Sequence, residues 1–532
     1  MAGRLKTGMI VLTRPGSISP IVARLCVVIL RAPRKGTIAA FAAAVALVLL
    51  VRWHWAGGPY SRDEASYMVV AHEVRFGHLP NVTAWAQRPP GAYIGYAAVD
   101  LLPLGPDRKL DVLAAVCLIV TAFGVYLWLV PLAGSRAAFG ALLLFCLVSS
   151  DVSMQGQTAN SELMISALLV LSFAALVRHF AAGGGAMLIA AGLLVGISGT
   201  IKEHTVAMAA AQLVCIALAA PHKWRSAMIY AAAAAAPWLL ILLIYVPTGN
   251  ARIIFDTFLF NAAHVALPWR DLAGGPILLA KLGYAYFGTW PLWLCTIFLC
   301  GLIPPPRAAM TVIAAFLAAC ATVVASGWFF AHYLIVAAPA VVAGTVLYID
   351  QVARRSRVIA TVVACAIGIY AAGTQLLFIR GHIPLGVREL IPVGDVERRQ
   401  RVFGEILGRR AAGAKALLYG IDAGLLFYSE LRPSEPILWL SLYDSSPLKI
   451  DAPFAHRFID RIESAIARRP PDLIILQEPL APDRPVARFL APMVARDYVP
   501  VPISEVAPPS FRCTYRDIHV LQIYRRRGFY LR

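Results

Sequence analysis

The chain has 532 residues, of which 59% are hydrophobic and 14% are charged, and its formal net charge is +19. Soluble domains are roughly 45–50% apolar and about 25% charged, so the composition excludes an ordinary soluble protein and indicates a polytopic membrane protein. The positive charge favours basic cytoplasmic loops over a nucleic-acid partner. The nine cysteines include no CxxC pair, and only Cys513 follows residue 380, so neither a zinc site nor a redox site is indicated.

Apolar segments along the chain predict the membrane crossings. The first follows a basic N-terminus and ends in RWHW rather than in a small-residue cleavage site, which predicts an uncleaved signal-anchor with a cytoplasmic N-terminus. The run 136–148 is only about half a span. Segments capable of crossing lie near residues 36–56, 91–105, 110–132, 159–178, 184–201, 204–220, 226–246, 275–302, 308–328, 330–349 and 357–378.

Basic residues at alternate segment ends predict sidedness. The outer ends would carry Glu162, Lys202, the loops 57–90 and 247–272, and everything after residue 380. This pattern needs an odd number of crossings, so residues 136–160 are predicted not to cross and to return through the polar strip SSDVSMQGQTANS. Asp107, Asp111 and Asp350 are expected to be solvated at the cytoplasmic ends, which carry Arg108/Lys109, Arg178, Lys223/Arg225, Arg307 and Arg354/Arg355/Arg357.

Residues 380–532 hold 17 of the 29 acidic residues and differ in pattern from the rest. AKALLYGIDAGLLFYSEL predicts strand, turn and helix, RIESAIARRPPDLIILQEP predicts helix and buried strand, and FRCTYRDIHVLQIYRR alternates like strands. We therefore predict a basic cytoplasmic N-terminus (1–35), a transmembrane module (36–379) with its first outer loop at 57–90, and a small outer α/β domain (380–532). We expect that domain to cover the membrane cavity and to contribute to acceptor choice.

The first outer loop, GGPYSRDEASYMVVAHEVRFGHLPNVTAWAQRPPGAY, concentrates ionisable residues. A carboxylate at membrane depth is costly and is usually paired or functional. Ser61 and Glu64 match a capping box, so a structural role for Glu64 competes with a catalytic one. Asp63 is not needed for that box, and its structural alternative is complementation of the helix dipole. Tyr67 lies on the same helix face as Asp63.

Further polar residues fall at the other outer helix ends. Pro89 and Pro90 hold Arg88 in an extended segment, which suits phosphate binding, whereas the alternative is an interfacial snorkelling Arg. Glu162 opens a helix after a capping Asn or Ser, so it could be a first-turn acid only.

The segment GTIKEHT places Lys202 and His204 together, and a Lys202–Glu162 ion pair is the structural interpretation of this segment. His332 and Tyr333 begin another span, where a lone His is more often structural than catalytic.

These ends, if they face one cavity, fit a polyprenyl-phosphate-linked sugar, which has an apolar tail, a phosphate and an anomeric carbon. Arg88, Lys202 and His332 would stabilise the departing phosphate. Asp63 would accept the proton of the attacking hydroxyl. One carboxylate opposite the leaving group predicts a single displacement with inversion.

The segments DEASY, RFGHLP, RPPGAY, NSE, IKE and HYLIVAAP resemble the GT-C membrane glycosyltransferases, in particular the protein mannosyltransferases and the lipid A aminoarabinose transferase-like group. The likeness runs from about residue 36 to 350, and the first-loop DE-x-x-Y with a downstream Pro pair is its most specific part. It implies an α-helical polytopic membrane protein with about 11–13 transmembrane helices and a small C-terminal extracytoplasmic α/β domain.

The resemblance also implies site residues. The family's essential first-loop Asp corresponds to Asp63, and its second-motif acid to Glu162. Its Lys before the Pro pair is Arg88 here, and the usual acid before that Lys is Gln87. Relatives act with and without a divalent cation, so no cofactor is required by the resemblance and a divalent cation is compatible with it. We predict no metal ligands, catalytic Asp63 and Glu64, and substrate-binding Tyr67, Arg88, Glu162, Lys202, His204, His332 and Tyr333.

The prediction is an inverting hexosyl- or pentosyltransferase of the bacterial cytoplasmic (inner) membrane. Its partners would be the lipid bilayer, a polyprenyl-phosphate-linked sugar donor and a glycan, lipid or protein acceptor such as lipopolysaccharide, with no nucleic acid. One alternative is a transporter or flippase of lipid-linked sugars, against which the lack of detectable repeat halves counts. Another is a structural envelope subunit, which leaves the clustered acids unexplained.

Overall fold

The structure is a computed structural model that describes residues 35–57, 61–270, 288–302, 309–326, 330–380, 395–421, 423–434, 438, 453–477, 479–506 and 522–531. The basic segment 1–34, residues 271–287, Arg307, residues 381–394 and Cys513 entered the predictions above and lie outside these ranges.

Apolar helices build the first 380 residues. Five are long and apolar enough to cross a membrane, namely Lys35–Trp55 (with its last turn 3-10), Pro106–Val148, Ser161–Ala182, Lys223–Tyr245 and Arg357–Ile379, and four shorter apolar helices accompany them. This architecture confirms the predicted α-helical polytopic class. In chain order the helices are α1 (Lys35–Arg52), α2 (Arg62–Arg75), α3 (Ala92–Asp100), α4 (Pro106–Val148), α5 (Ser161–Ala182), α6 (Gly185–Ile201), α7 (Thr205–Ala219), α8 (Lys223–Tyr245), α9 (Ala251–Arg270), α10 (Trp290–Leu302), α11 (Met310–Ser326), α12 (Ala338–Arg355) and α13 (Arg357–Ile379).

Helix α4 is a helical hairpin rather than one rod. Gly134 interrupts it with φ 81° and ψ 170°, a backbone conformation that glycine adopts without strain, and Pro131 just before it lacks an N–H for the helix ladder. The first turns of α4 and the strip after Val148 both contact the segment around α2: Gly57 N–H donates to Asp111 Oδ2 (2.9 Å), and Ala159 N–H donates to Glu64. The hairpin therefore returns to the side on which it began.

The predicted crossing at residues 91–105 is wrong. The helix there, α3, has 9 residues, and at about 1.5 Å per residue it is roughly half as long as the hydrocarbon core is thick. The prediction that residues 136–160 do not cross is also wrong, because residues 135–148 form the returning half of α4. The two errors cancel, so the predicted number of crossings is unchanged.

The predicted cytoplasmic position of the first turns of α4 is wrong for the same reason. Asp107 forms an ion pair with Arg401 of the C-terminal region, and Asp111 is tied to the segment before α2, so neither is a freely solvated acid. Arg108 and Lys109 consequently lie on the side of α2. Their charges take part in local ion pairs and do not report sidedness.

The C-terminal region contains a mixed sheet in the order β2–β1–β3–β5–β4. Strand β1 pairs in parallel with β2 and β3, whereas β5 pairs antiparallel with β3 and β4. The predicted strand–helix and helix–buried-strand units are confirmed, and residues 511–521 lie outside the described ranges. The elements are α14 (Asp395–Arg410), β1 (Lys415–Tyr419), α15 (Gly424–Ser429), β2 (Arg432–Pro433), α16 (Pro453–Arg468), β3 (Leu473–Leu476), α17 (Pro485–Asp497), β4 (Tyr498–Val501), α18 (Ile503–Val506) and β5 (Gln522–Arg526).

The C-terminal region packs on the first outer loop and on α9. Arg432 makes a bidentate ion pair with Glu73 of α2 (3.0 and 2.9 Å), and Arg457 of α16 pairs with Asp256 of α9 (2.5 Å). Two parallel N–H···O bonds fix the orientation of a guanidinium as well as its position. The region therefore lies on the same side of the helical module as α2.

Candidate active site

Helix α2 begins with a capping box, and the two neighbouring carboxylates in its first turn, those of Asp63 and Glu64, differ in their hydrogen bonding. Ser61 Oγ accepts the Glu64 N–H (3.3 Å), and Glu64 Oε2 accepts the Ser61 N–H (2.8 Å), so the predicted cap is confirmed. The other Glu64 oxygen accepts the N–H of Ala159. Burial raises the pKa of Glu64, and these hydrogen bonds oppose that effect. Glu64 thus joins α2 to the strip before α5.

Asp63 lies in the first turn of α2, between Ser61 and Glu64, and has a different environment. Its side chain is partly exposed, and among the described residues its carboxylate makes no hydrogen bond and no ion pair. It lies within electrostatic reach of Arg88, His332 and Tyr333. Asp63 is therefore a carboxylate held near cations but not neutralised by a direct contact.

Arg88 is buried among tyrosines at the end of the first outer loop. Its Nε donates to Tyr67 Oη (2.8 Å), and its side chain is only 6% exposed. Tyr67 packs against Tyr93 and Tyr96, with ring centroids 6.1 and 5.3 Å away. Within the described ranges, the two terminal guanidinium nitrogens have no protein acceptor. A buried cation with unused donors is prepared for an anion.

The segment that carries Arg88 is held by three hydrogen bonds, two to α9 and one to α6. Asn261 of α9 donates to the carbonyl of Gln87 (2.9 Å), and Trp85 donates to Thr257 (2.9 Å). Gly91 N–H donates to the carbonyl of Thr200 (2.9 Å), and a Cβ at Gly91 would lie 2.2 Å from Thr200 Oγ1. Glycine is required at this close approach between the Arg88 segment and the end of α6.

Three buried ionisable side chains meet beside Arg88. Lys202 contacts Glu162 directly in an ion pair, and His332 Nε2 lies 3.7 Å from the same Glu162 oxygen. The Lys202 side chain is fully buried, and that of Glu162 is 2% exposed. The structural interpretation of Lys202 is therefore confirmed as a contact, and this pair lies between the N-terminal end of α5 and the C-terminal end of α6.

Aromatic rings and one amide complete this cluster. Lys202 Nζ lies 4.2 Å from the ring centroid of Tyr333, and the imidazole of His204 packs against the same ring at 5.1 Å. The His332 imidazole makes a 3.0 Å hydrogen bond with Gln155 Oε1. Gln155 has a left-handed backbone (φ 56°) and follows the 3-10 turn Val152–Met154. The strip after α4 therefore orients His332.

The structure thus brings the predicted site residues together. Asp63, Tyr67, Arg88, Glu162, Lys202, His204, His332 and Tyr333 form one cluster, and Glu64 is joined to the strip before α5 through the N–H of Ala159. The sequence reasoning did not single out Gln155 or the scaffold of the Arg88 segment, although the density of amides and hydroxyls in SSDVSMQGQTANS was a usable signal. No group of three or more His, Cys, Asp or Glu side chains among the described residues is arranged to hold a metal ion.

A second charged region lies between α2, the start of α4 and the C-terminal region, around a cavity of about 90 Å³ that none of the predicted site residues lines. Asp100 accepts from Lys109 (2.8 Å) and contacts His72 (3.1 Å), while Glu73 holds Arg432. Burial alone would raise the pKa of Asp100, but the bonds to His72 and Lys109 outweigh it and hold that pKa at about 2. Both carboxylates here are paired.

Comparison with known proteins decides the fold. No protein-family model and no curated protein matches the chain. Among solved structures it is similar to ArnT from Cupriavidus metallidurans bound to undecaprenyl phosphate, with a TM-score of 0.56, 15% identity, and coverage of 92% of this chain and 98% of that one. The apo form of that protein gives a TM-score of 0.54 at 14% identity, with coverage of 91% and 97%.

The chain has the GT-C fold. A further GT-C structure, the Archaeoglobus fulgidus oligosaccharyltransferase AglB in complex with an inhibitory peptide and a dolichol-phosphate, is similar at a TM-score of 0.50 and 11% identity, over 83% of this chain and 69% of that one. The resemblance drawn from DEASY and RPPGAY is therefore confirmed as a GT-C fold. At these identities the likeness concerns the fold, and the chemistry has to be argued from the cluster itself.

Proposed function

We propose that this GT-C protein is an inverting glycosyltransferase that moves a sugar from a polyprenyl-phosphate-linked donor to an acceptor hydroxyl of the cell envelope. The observation that carries the proposal is Arg88, a buried guanidinium with unused terminal donors, next to the uncommitted carboxylate of Asp63. One group is suited to the leaving phosphate and the other to the attacking hydroxyl. The polyprenyl phosphates named with two of the similar structures support the donor class.

The reaction assigned to these groups is a single displacement. The acceptor oxygen attacks the anomeric carbon while Asp63 takes the hydroxyl proton. The bond from that carbon to the phosphate oxygen breaks, and its electron pair leaves with the phosphate. Arg88 stabilises the charge that develops there, and Lys202 adds positive potential from behind Glu162. The products are an inverted glycoside and a free polyprenyl phosphate.

The Glu162–Lys202 pair would keep this cluster preorganised. A Lys without a partner would lose its proton or recruit water at such a buried position, whereas Glu162 holds the ammonium against the Tyr333 ring. Gln155 would keep the His332 ring in one orientation. The site would then need little reorganisation when the leaving group becomes charged.

The direct test is an assay of the purified protein with a series of polyprenyl phosphates that each carry a different hexose or pentose. In the presence of an envelope acceptor, we expect release of polyprenyl phosphate and formation of a glycoside whose anomeric configuration is opposite to that of the donor. A transporter or flippase would move the lipid across proteoliposomes without cleaving it. Movement without cleavage for every donor would overturn the proposal.

We also propose that the site faces the outside of the bacterial cytoplasmic membrane. The support is that α2, the cluster and the C-terminal region share one side, which is the side of the C-terminal end of α1, and that the sequence before Lys35 is basic. A reporter that works only outside the cytoplasm should be active after Arg380 and inactive after Arg355. The reverse pattern would place the site in the cytoplasm.

A further inference from the structure

Arg461, on α16 of the C-terminal region, reaches the first outer loop where that loop turns towards Arg88. Its Nη2 donates to two consecutive carbonyl oxygens, those of Asn81 (3.1 Å) and Val82 (2.6 Å). Burial lowers the pKa of this guanidinium, and nearby Asp256 opposes that effect. A partly buried cation aimed at two backbone acceptors fixes the path of the loop at that point.

Asn81, whose carbonyl accepts from Arg461, in turn contacts the backbone of Arg88. Its backbone is left-handed (φ 66°), its side chain is 1% exposed, and its Nδ2 donates to the carbonyl of Arg88 (2.8 Å). Asn is among the few non-glycine residues that tolerate this backbone region. Arg461 and Arg88 are therefore separated by a single residue that contacts both of them.

A second contact between the same two parts supports the link. The N–H of Leu438 donates to the carbonyl of Trp85 (3.2 Å), three residues before Arg88, and Trp85 is fully buried. The segment from Asn81 to Arg88 is thus held at its start and in its middle by the C-terminal region. Its end is held by Thr200, through the Gly91 contact.

We propose that Arg461 is a positioning residue for donor binding: through Asn81 it sets the place of Arg88, so the C-terminal region determines affinity for the lipid phosphate without touching it. The inference rests on the proposed role of Arg88 in holding the donor phosphate. It assigns the C-terminal region a function in the donor half of the reaction, in addition to any part in acceptor choice.

The test uses the full-length protein in detergent and undecaprenyl phosphate as the probe. Arg461→Ala should weaken the Kd for this lipid about tenfold, the effect expected when one strong hydrogen-bonded support is lost. Arg461→Lys should recover part of the affinity, because an ammonium can still reach the carbonyls. Asn81→Gly should weaken the Kd similarly, because glycine keeps the left-handed turn but cannot hold the Arg88 carbonyl.

The matched control is Arg457→Ala, on the same helix, which removes the ion pair to Asp256 of α9. It should leave the Kd within about twofold of the wild type. In an Arg88→Ala background, Arg461→Ala should cause no further loss, since the two act through one group.

Two outcomes would overturn the inference while leaving the proposed function intact: wild-type affinity in both Arg461→Ala and Asn81→Gly, or an equal loss from Arg461→Ala with and without Arg88. Failure of the wild type both to bind the lipid and to release it from a donor would overturn the proposed function and the inference together.

Discussion

Two charged regions flank α2, and they differ in what their carboxylates do. In the region around the cavity, Asp100 and Glu73 are each engaged by partners that face solvent in part. In the cluster at the helix ends, Glu162 is sealed in with Lys202, while Asp63 has no direct partner among the described residues. The paired charges around the cavity join parts of the fold, whereas an acid without a direct partner beside buried cations is available to accept a proton.

The largest expected effect comes from breaking the sealed pair. Glu162→Ala leaves the fully buried Lys202 without its carboxylate, which should destabilise the protein by about 3–5 kcal/mol in a detergent unfolding titration. The double change Glu162→Leu with Lys202→Met should restore most of that stability, because two apolar side chains need no partner. Transfer should stay abolished in the double variant. A loss below about 1 kcal/mol for Glu162→Ala would show that the pair is not desolvated.

The next effect concerns rate rather than stability. Asp63→Asn keeps the shape and removes the basicity, so single-turnover transfer should slow by at least ~10²-fold while unfolding and donor binding stay unchanged. Glu64→Gln is the matched control on the adjacent residue. It should slow transfer less and destabilise more, by about 1–3 kcal/mol, because it loses one of two accepted N–H bonds. Near wild-type transfer by Asp63→Asn would remove Asp63 from the mechanism.

A smaller effect should appear in donor affinity. Arg88→Ala removes the unused guanidinium donors, and loss of a charge-assisted hydrogen bond worth about 1.5–3 kcal/mol should weaken donor binding at least tenfold. Arg88→Lys should recover part of it, because it keeps the charge and loses the forked geometry. Isothermal titration with the donor measures both. Unchanged affinity in Arg88→Ala would exclude a phosphate contact.

The smallest effect should come from a change in the charged region around the cavity, and it should be an effect on stability. Glu73→Gln leaves Arg432, whose side chain is 35% exposed, able to reach water. The expected loss is about 1 kcal/mol or less, with transfer and donor affinity unchanged. Thermal unfolding and the transfer assay together check this. A loss as large as that of Glu162→Ala would remove the distinction between the two regions.

The sequence predicted the helical class, most helix positions and the residues of the cluster, because apolar runs and rare acids are local signals. The sequence-based prediction failed for residues whose position depends on contacts with residues far away in the chain. Lys109 is predicted to lie at a cytoplasmic helix end, but it pairs with Asp100 on the side of α2. The sequence did not reveal the hairpin at Gly134. The short apolar run 136–148 and the polar strip after it are compatible both with a crossing helix and with a segment that does not cross. Arg461 and Asn81 were missed because their contact joins residues 380 positions apart.

The close approach of Gly91 to Thr200 has a consequence for how the site tolerates change. Arg88 and Lys202 lie three and two residues from the ends of one backbone hydrogen bond, so the spacing between the two cations is a property of the main chain. Side chains of different length at position 88 would therefore leave the surrounding backbone in place. Gly91 itself has no such latitude, since even a methyl group would separate the two segments. Arg88→Lys is therefore expected to leave the backbone of the site in place, whereas Gly91→Ala is expected to displace it.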